Sequence, residues 1–135
     1  MVKEHYTFIK EQKQQYYLRR GYAVNEPQNY LSLNIDCCAP FCFPYSHPNP
    51  KKWQHLTKKM PIHLCAVINH SISRNFIYYW PKDVYAKDSN LIISILWDHL
   101  SYYYKTYDHR PTVLYLQANN CAGKNKNHNM LSFLS

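Results

Sequence analysis

A mixed α/β domain is the fold class this sequence predicts, and three observations lead to it. Apolar and polar residues alternate over Tyr30 to Ile35, and short apolar runs recur at Ile62 to Asn69, Asn75 to Trp80 and Val113 to Ala118, which is the pattern of β-strands. From Leu91 to Leu100 the apolar residues instead return every three or four positions, the period of a helix. Strand-length and helix-length segments therefore take turns along one chain. The expected order is an N-terminal helix, a strand, an antiparallel hairpin, a helix, a further strand and the start of a last helix.

Each element has its own local reason. Glu4 to Arg20 sets Tyr6, Ile9, Tyr16 and Tyr17 among Glu, Gln, Lys and Arg, which predicts an amphipathic helix leading into the core, with Gly21 as its stop. Asn25 to Asn29, containing Pro27, breaks the chain before the first strand, which places Asp36 at a strand end. Cys38 to Lys59 carries Pro40, Pro44, Pro48 and Pro50 and reads as a long irregular connection. Ser71, Ser73 and Arg74 separate the next two apolar runs, so an antiparallel hairpin is the simplest pairing, and Pro81 ends it. Asp88 and Ser89 are suited to cap the helix that carries Leu91, Ile92, Ile95, Leu96, His99 and Leu100. After the last apolar run, Asn119, Asn120, Gly123, Asn125 and Asn127 supply turn and cap residues before Met130, Leu131, Phe133 and Leu134.

Composition narrows the function classes. At 135 residues, 46% of them apolar, the chain can build a single globular core. The 14 tyrosines suit half-buried positions with a polar tip. No stretch is apolar for the roughly 18 residues a membrane span needs, and the start M-V-K-E-H-Y lacks the apolar centre of a signal peptide. An intracellular protein is expected, with a nuclear location compatible and no membrane partner. The five cysteines follow no disulfide framework and fit reduced thiols. The net charge of +8 points to an anionic partner, with nucleic acid first and DNA ahead of RNA. Lys51, Lys52, Lys58 and Lys59 around Trp53, together with Lys124 and Lys126, form the candidate contact, because an aromatic among lysines can stack on bases.

The segment Leu114 to Asn127, L-Y-L-Q-A-N-N-C-A-G-K-N-K-N, resembles L-x-L-Q-L-D-N-C-x-G-x-N-K-N, the signature of an uncharacterised domain family of transposable-element proteins regarded as a ribonuclease H-like transposase core. Three more segments follow that family in the same order: Y-L-S-L-N-I-D at 30–36, P-I-H-L-C-A-V-I-N-H at 61–70 and D-S-N-L-I-I-S-I at 88–95. The resemblance implies an N-terminal helix and linker over residues 1–29 and a partial ribonuclease H-like fold over 30–135: three antiparallel strands, a crossover helix, a fourth strand beside the first, and the start of a further helix. That domain would be truncated, because the chain ends at Ser135, before the fifth strand and the helix that would bring a third acid.

Nucleases and transposases of that architecture hold two magnesium ions between acids on the first strand, the fourth strand and a later helix. Hard cations need anionic oxygen ligands. By the resemblance Asp36 holds the first position, as a vestigial metal ligand, and Asn119 stands where the family has an aspartate. An amide there removes a charge and a bridging ligand, so two-metal catalysis is expected to be disabled and no cofactor is expected beyond the magnesium of the ancestral activity. The expected function is that of a transposase-like domain without catalysis of its own.

Plainer roles stand beside these. Asp36 can open a turn and Asn119 and Asn120 can simply shape one, while His63 reads as a core or edge histidine and His70 as a turn residue. Two rival functions also remain. One is a non-enzymatic nucleic-acid-binding module that uses the basic face. The other is a small zinc-binding structural protein built on Cys37, Cys38, Cys42 and His47, against which Cys37 and Cys38 read as strand-end residues, Cys42 as a loop residue, Cys65 as core and Cys121 as packing under a turn. Oligomeric state is open, with an incomplete sheet edge favouring self-association.

Overall fold

A computed structural model of the protein describes residues 2–43, 60–86, 88–118 and 128–135. The first helix, α1, spans Val2–Asn25 and is longer than the sequence suggests at both ends. Gly21 does not stop it: Glu26 N still donates to Tyr22 O at 2.8 Å, so the turn closes beyond the glycine. Pro27 sets the limit instead, because the residue before a proline is pushed out of helical geometry. Asn29 N and Tyr30 N then both donate to Glu26 O and turn the chain into β1, Tyr30–Cys37.

The proline-rich connection contains a strand that the sequence hides. β2, Phe41–Phe43, pairs with the start of β3, Met60–Asn69, and Cys38 N donates to Leu64 O between the two pairings. β1 and β2 thus lie in succession along the same side of β3, interrupted by Ala39 and Pro40. The other side of β3 pairs along its length with β4, Arg74–Pro81, in an antiparallel hairpin from Ile62↔Pro81 to Asn69↔Arg74. Its turn holds Ser73 at φ 52°, a left-handed conformation that a serine tolerates where a β-branched residue would be strained.

Asp88 caps the second helix, α2, which spans Ser89–Thr106: its side chain accepts from Leu91 N at 3.0 Å. The helix crosses over to β5, Val113–Ala118, which runs parallel to β1 from Tyr30↔Val113 to Ile35↔Ala118. The last described element, α3, spans His128–Leu134 and meets α2 through Met130 and a Phe133–Trp97 ring contact. The result is a mixed sheet of five strands, ordered β4, β3, β1, β5, with β2 continuing beside β3. The three-strand antiparallel group, the crossover helix and the parallel strand beside the first are where the sequence puts them.

Alternation along the strands separates the two faces of this sheet. Leu31, Leu33 and Ile35 of β1, Cys65 and Val67 of β3, and Trp80 of β4 face Ile92, Ile95, Leu96 and Tyr103 of α2 and form the core with Met130. On the opposite face, over β1 and β5, lies α1. It is not the amphipathic core helix that its sequence suggests. Ala23 is its one fully buried residue among those described, while Tyr6, Phe8, Tyr17, Leu18, Tyr22 and Val24 are exposed. Ring and polar contacts hold it down: Tyr22 stacks on Tyr30, Arg19 lies over the Tyr115 ring at 5.4 Å, and the Tyr16 hydroxyl meets His70 Nε2 at 3.0 Å.

Candidate functional site

Asp36 stands near the carboxyl end of β1, where the strand pattern predicts it. It is exposed, pairs with Ala66 of β3, and accepts a hydrogen bond from Cys37 N through Oδ1 at 2.9 Å. Alternation places it on the α1 face, in line with Tyr30, Ser32 and Asn34. In the parallel ladder Ile35 pairs with Ala118, so the residues immediately before Asp36 and Asn119 are neighbours across adjacent strands. Asn119 itself lies outside the described residues, as do Lys51, Lys52, Trp53, Lys58, Lys59, Lys124 and Lys126.

Among the described residues no three His, Cys, Asp or Glu side chains stand close enough to share an ion.

Two of the cysteines differ from their expected reduced state. Cys37 and Cys65 are register partners on β1 and β3, with Cα atoms 4.0 Å apart, and are joined in a disulfide. Close approach of this kind is a property of antiparallel non-hydrogen-bonded pairs, and sequence spacing does not reveal it. The bond takes Cys37 away from the proposed zinc set. Cys38 and Cys42 are exposed, and His47 lies outside the described residues, as does Cys121.

Two histidines have structural partners on the core side. Asn69 is fully buried; its Oδ1 accepts from Ser71 N at 3.1 Å and its Nδ2 meets His99 Nε2 at 3.1 Å. The Ser71 bond fixes the amide orientation, so Nδ2 donates and the His99 ring proton belongs on Nδ1. That atom is buried with no hydrogen-bond partner among the described residues, as is the Tyr103 hydroxyl one helical turn on. Burial pushes His99 below its ordinary value, against a smaller opposing pull from Asp98. His70 at the hairpin turn is also pushed down, first by burial and then by Arg20. His63 is buried beside Trp80. On the rim of the core, burial and the neighbouring Asp98 raise the Tyr78 phenol to about 12; its hydroxyl donates to Asp98 Oδ2 at 3.2 Å.

The structure also contains a site that the sequence does not announce. Between α1 and the β1–β5 pair lies a cleft of about 630 Å³, with Phe8, Gln12, Gln15 and Arg19 on the helix side and Ser32, Tyr115 and Gln117 on the sheet side. It extends along β5 to Ala118, beside the Asp36 strand end. Phe8, Gln12, Gln15 and Arg19 fall at helical spacing. That spacing is the available sequence signal, and it is concealed because glutamines and arginine on a helix read as a solvated face.

Residues 52–135, more than half of the chain, match the family model described as Domain of unknown function (DUF7869). The match takes in β3, β4, α2, β5 and α3, with α1, β1 and β2 preceding it. No curated protein and no solved structure matches the chain. By its family model, this chain belongs to DUF7869, a family of uncharacterised domains.

Proposed function

We propose that the chain is a transposon-derived domain built on the front of a ribonuclease H-like fold, with a phosphoryl-transfer site disabled by the amide at position 119. The observation that carries this reading is the parallel pairing of β1 with β5 at Ile35↔Ala118. It sets the strand end bearing Asp36 beside the strand end that continues into Asn119, which is how such a fold brings its first two acids together. The strand order β4, β3, β1, β5 agrees with the first four strands of that architecture, and four sequence segments resemble transposable-element proteins in the same order.

The chemistry follows from charge. A carboxylate pair at these positions would bind a divalent ion and align a phosphodiester for in-line attack. One carboxylate facing an amide leaves too little negative charge to hold ions together, so the strand end retains the scaffold of a metal site without its affinity. Nucleic acid is the substrate class this ancestry entails.

Calorimetric titration of magnesium and of manganese into the chain and its Asn119→Asp variant, with a plasmid-nicking assay, tests the reading. The variant is expected to gain metal affinity that the parent lacks, with or without nicking. Equal absence of binding in both overturns the reading and leaves a nucleic-acid-binding module that acts through its basic face.

A further inference from the structure

A helix that lies on a sheet normally turns an apolar stripe toward it. α1 turns Phe8, Gln12, Gln15 and Arg19 toward the cleft, and the sheet answers with Ser32, Tyr115 and Gln117. Both walls therefore mix polar groups with aromatic rings where a second apolar core would be expected, and the space between them stays open. The exposed glutamines on α1 and β5 carry amides that both donate and accept.

Tyr115 of the cleft wall ends an ordered row of rings. Outside the cleft Tyr22 stacks on Tyr30, and Tyr30 lies at 6° to the Tyr115 ring with centroids 5.9 Å apart. The Arg19 guanidinium lies over the Tyr115 ring, and Phe8 is 55% exposed at the far end of the same helix face. A planar ligand is suited to such surroundings, because aromatic faces and guanidinium planes both stack on flat rings. Charge narrows the ligand further. Arg19 and Glu11 are the charged residues lining the cleft, so it offers no cluster of cations for a phosphate chain. It favours a neutral ring with polar edges, attached to a single anionic group within reach of Arg19.

We propose that this cleft takes an unpaired nucleobase of a single-stranded nucleic acid. The base would stack against the Arg19–Tyr115 pair, with its edge read by Gln12, Gln15 and Gln117. The inference rests on the nucleic-acid reading above and adds a strand type and a subsite to it. A base in this cleft lies along β5 beside the Asp36 strand end, and a base in a duplex has neither its faces nor its pairing edge free.

Fluorescence anisotropy of the full chain with a labelled 12-nucleotide deoxythymidine strand, and with the matching duplex, tests the proposal without metal. The single strand is expected to bind more tightly than the duplex. Binding should weaken by about tenfold or more in Tyr115→Ala and in the Gln12→Ala/Gln15→Ala double variant. The double variant removes only exposed amides, so circular dichroism should show its fold unchanged. Thymidine monophosphate in excess should displace the strand. Absence of binding, equal binding of the duplex, or affinity unchanged in the double variant overturns the proposal. The metal titration of Asn119→Asp reports separately on the ancestral site, so either idea can fail alone.

Discussion

The two faces of the sheet are built differently. The α2 face is closely packed around an aliphatic centre: Leu31, Leu33, Ile35, Val67, Ile92 and Leu96 are each at most 1% exposed. The α1 face is held by rings and polar groups, with Ser32 buried at its centre and an open cleft beside it. The first face accounts for why the chain folds. The second is the face on which the nucleobase cleft is proposed.

That contrast can be broken by substitution. Truncating Leu33 to alanine leaves a cavity in the α2 face and should cost about 2–5 kcal/mol in urea-induced unfolding. Gln15→Ala, on the cleft wall, should stay within about 0.5 kcal/mol of the parent. Similar losses for both would mean that α1 belongs to the core after all.

A smaller effect is expected at the buried polar network. Asn69→Ala strands His99 Nε2 and Ser71 N together and should cost about 1–3 kcal/mol. The same network predicts a pH dependence. His99 is held below its ordinary value of 6.5 by burial, so the unfolded chain takes up a proton near that pH while the folded chain resists it. The stability from the neutral ring is therefore complete above pH 6.5. It falls as the pH drops below 6.5 and stops falling under the folded-state value. His70, depressed in the same sense, adds to the slope. Thermal melts across pH 5 to 8 should show it, and Tyr16→Phe should leave most of it in place, whereas a flat profile would mean His99 is not buried as a neutral ring.

The smallest effects belong to single contacts. Asp88→Ala removes the α2 cap and should cost about 1 kcal/mol, read from the same unfolding curves. Arg19→Ala should cost less than about 1 kcal/mol, since a cation over a ring that is only half-buried is weak. A larger loss would show that Arg19 anchors α1 to the sheet more firmly than one such contact allows.

Much of the α2 face can be read from the sequence, because period and burial are the same signal there. The alternation of Tyr30 to Ile35 places β1 to within two residues, and the three-and-four spacing of Leu91 to Leu100 locates α2, which runs on to Thr106. The polar face is largely hidden. Gly21 and the tyrosines of α1 do not show where that helix ends or how little of it is buried. β2 is a three-residue strand among prolines, too short for any period, and its pairing depends on β3. The Cys37–Cys65 bond depends on register across two strands, and the cleft on where α1 rests. Asp36 is legible as a strand end, while its placement beside the end of β5 requires the parallel pairing of Ile35 with Ala118.

The most direct test of the disabled-site account is manganese-induced broadening of backbone amide signals in the Asn119→Asp variant. The account predicts selective loss of the Asp36 and Ala118 signals at manganese concentrations that leave the parent unchanged, and recovery of both when Asp36→Asn is added. Broadening of the same signals in parent and variant alike, or broadening elsewhere that ignores Asp36, would contradict it.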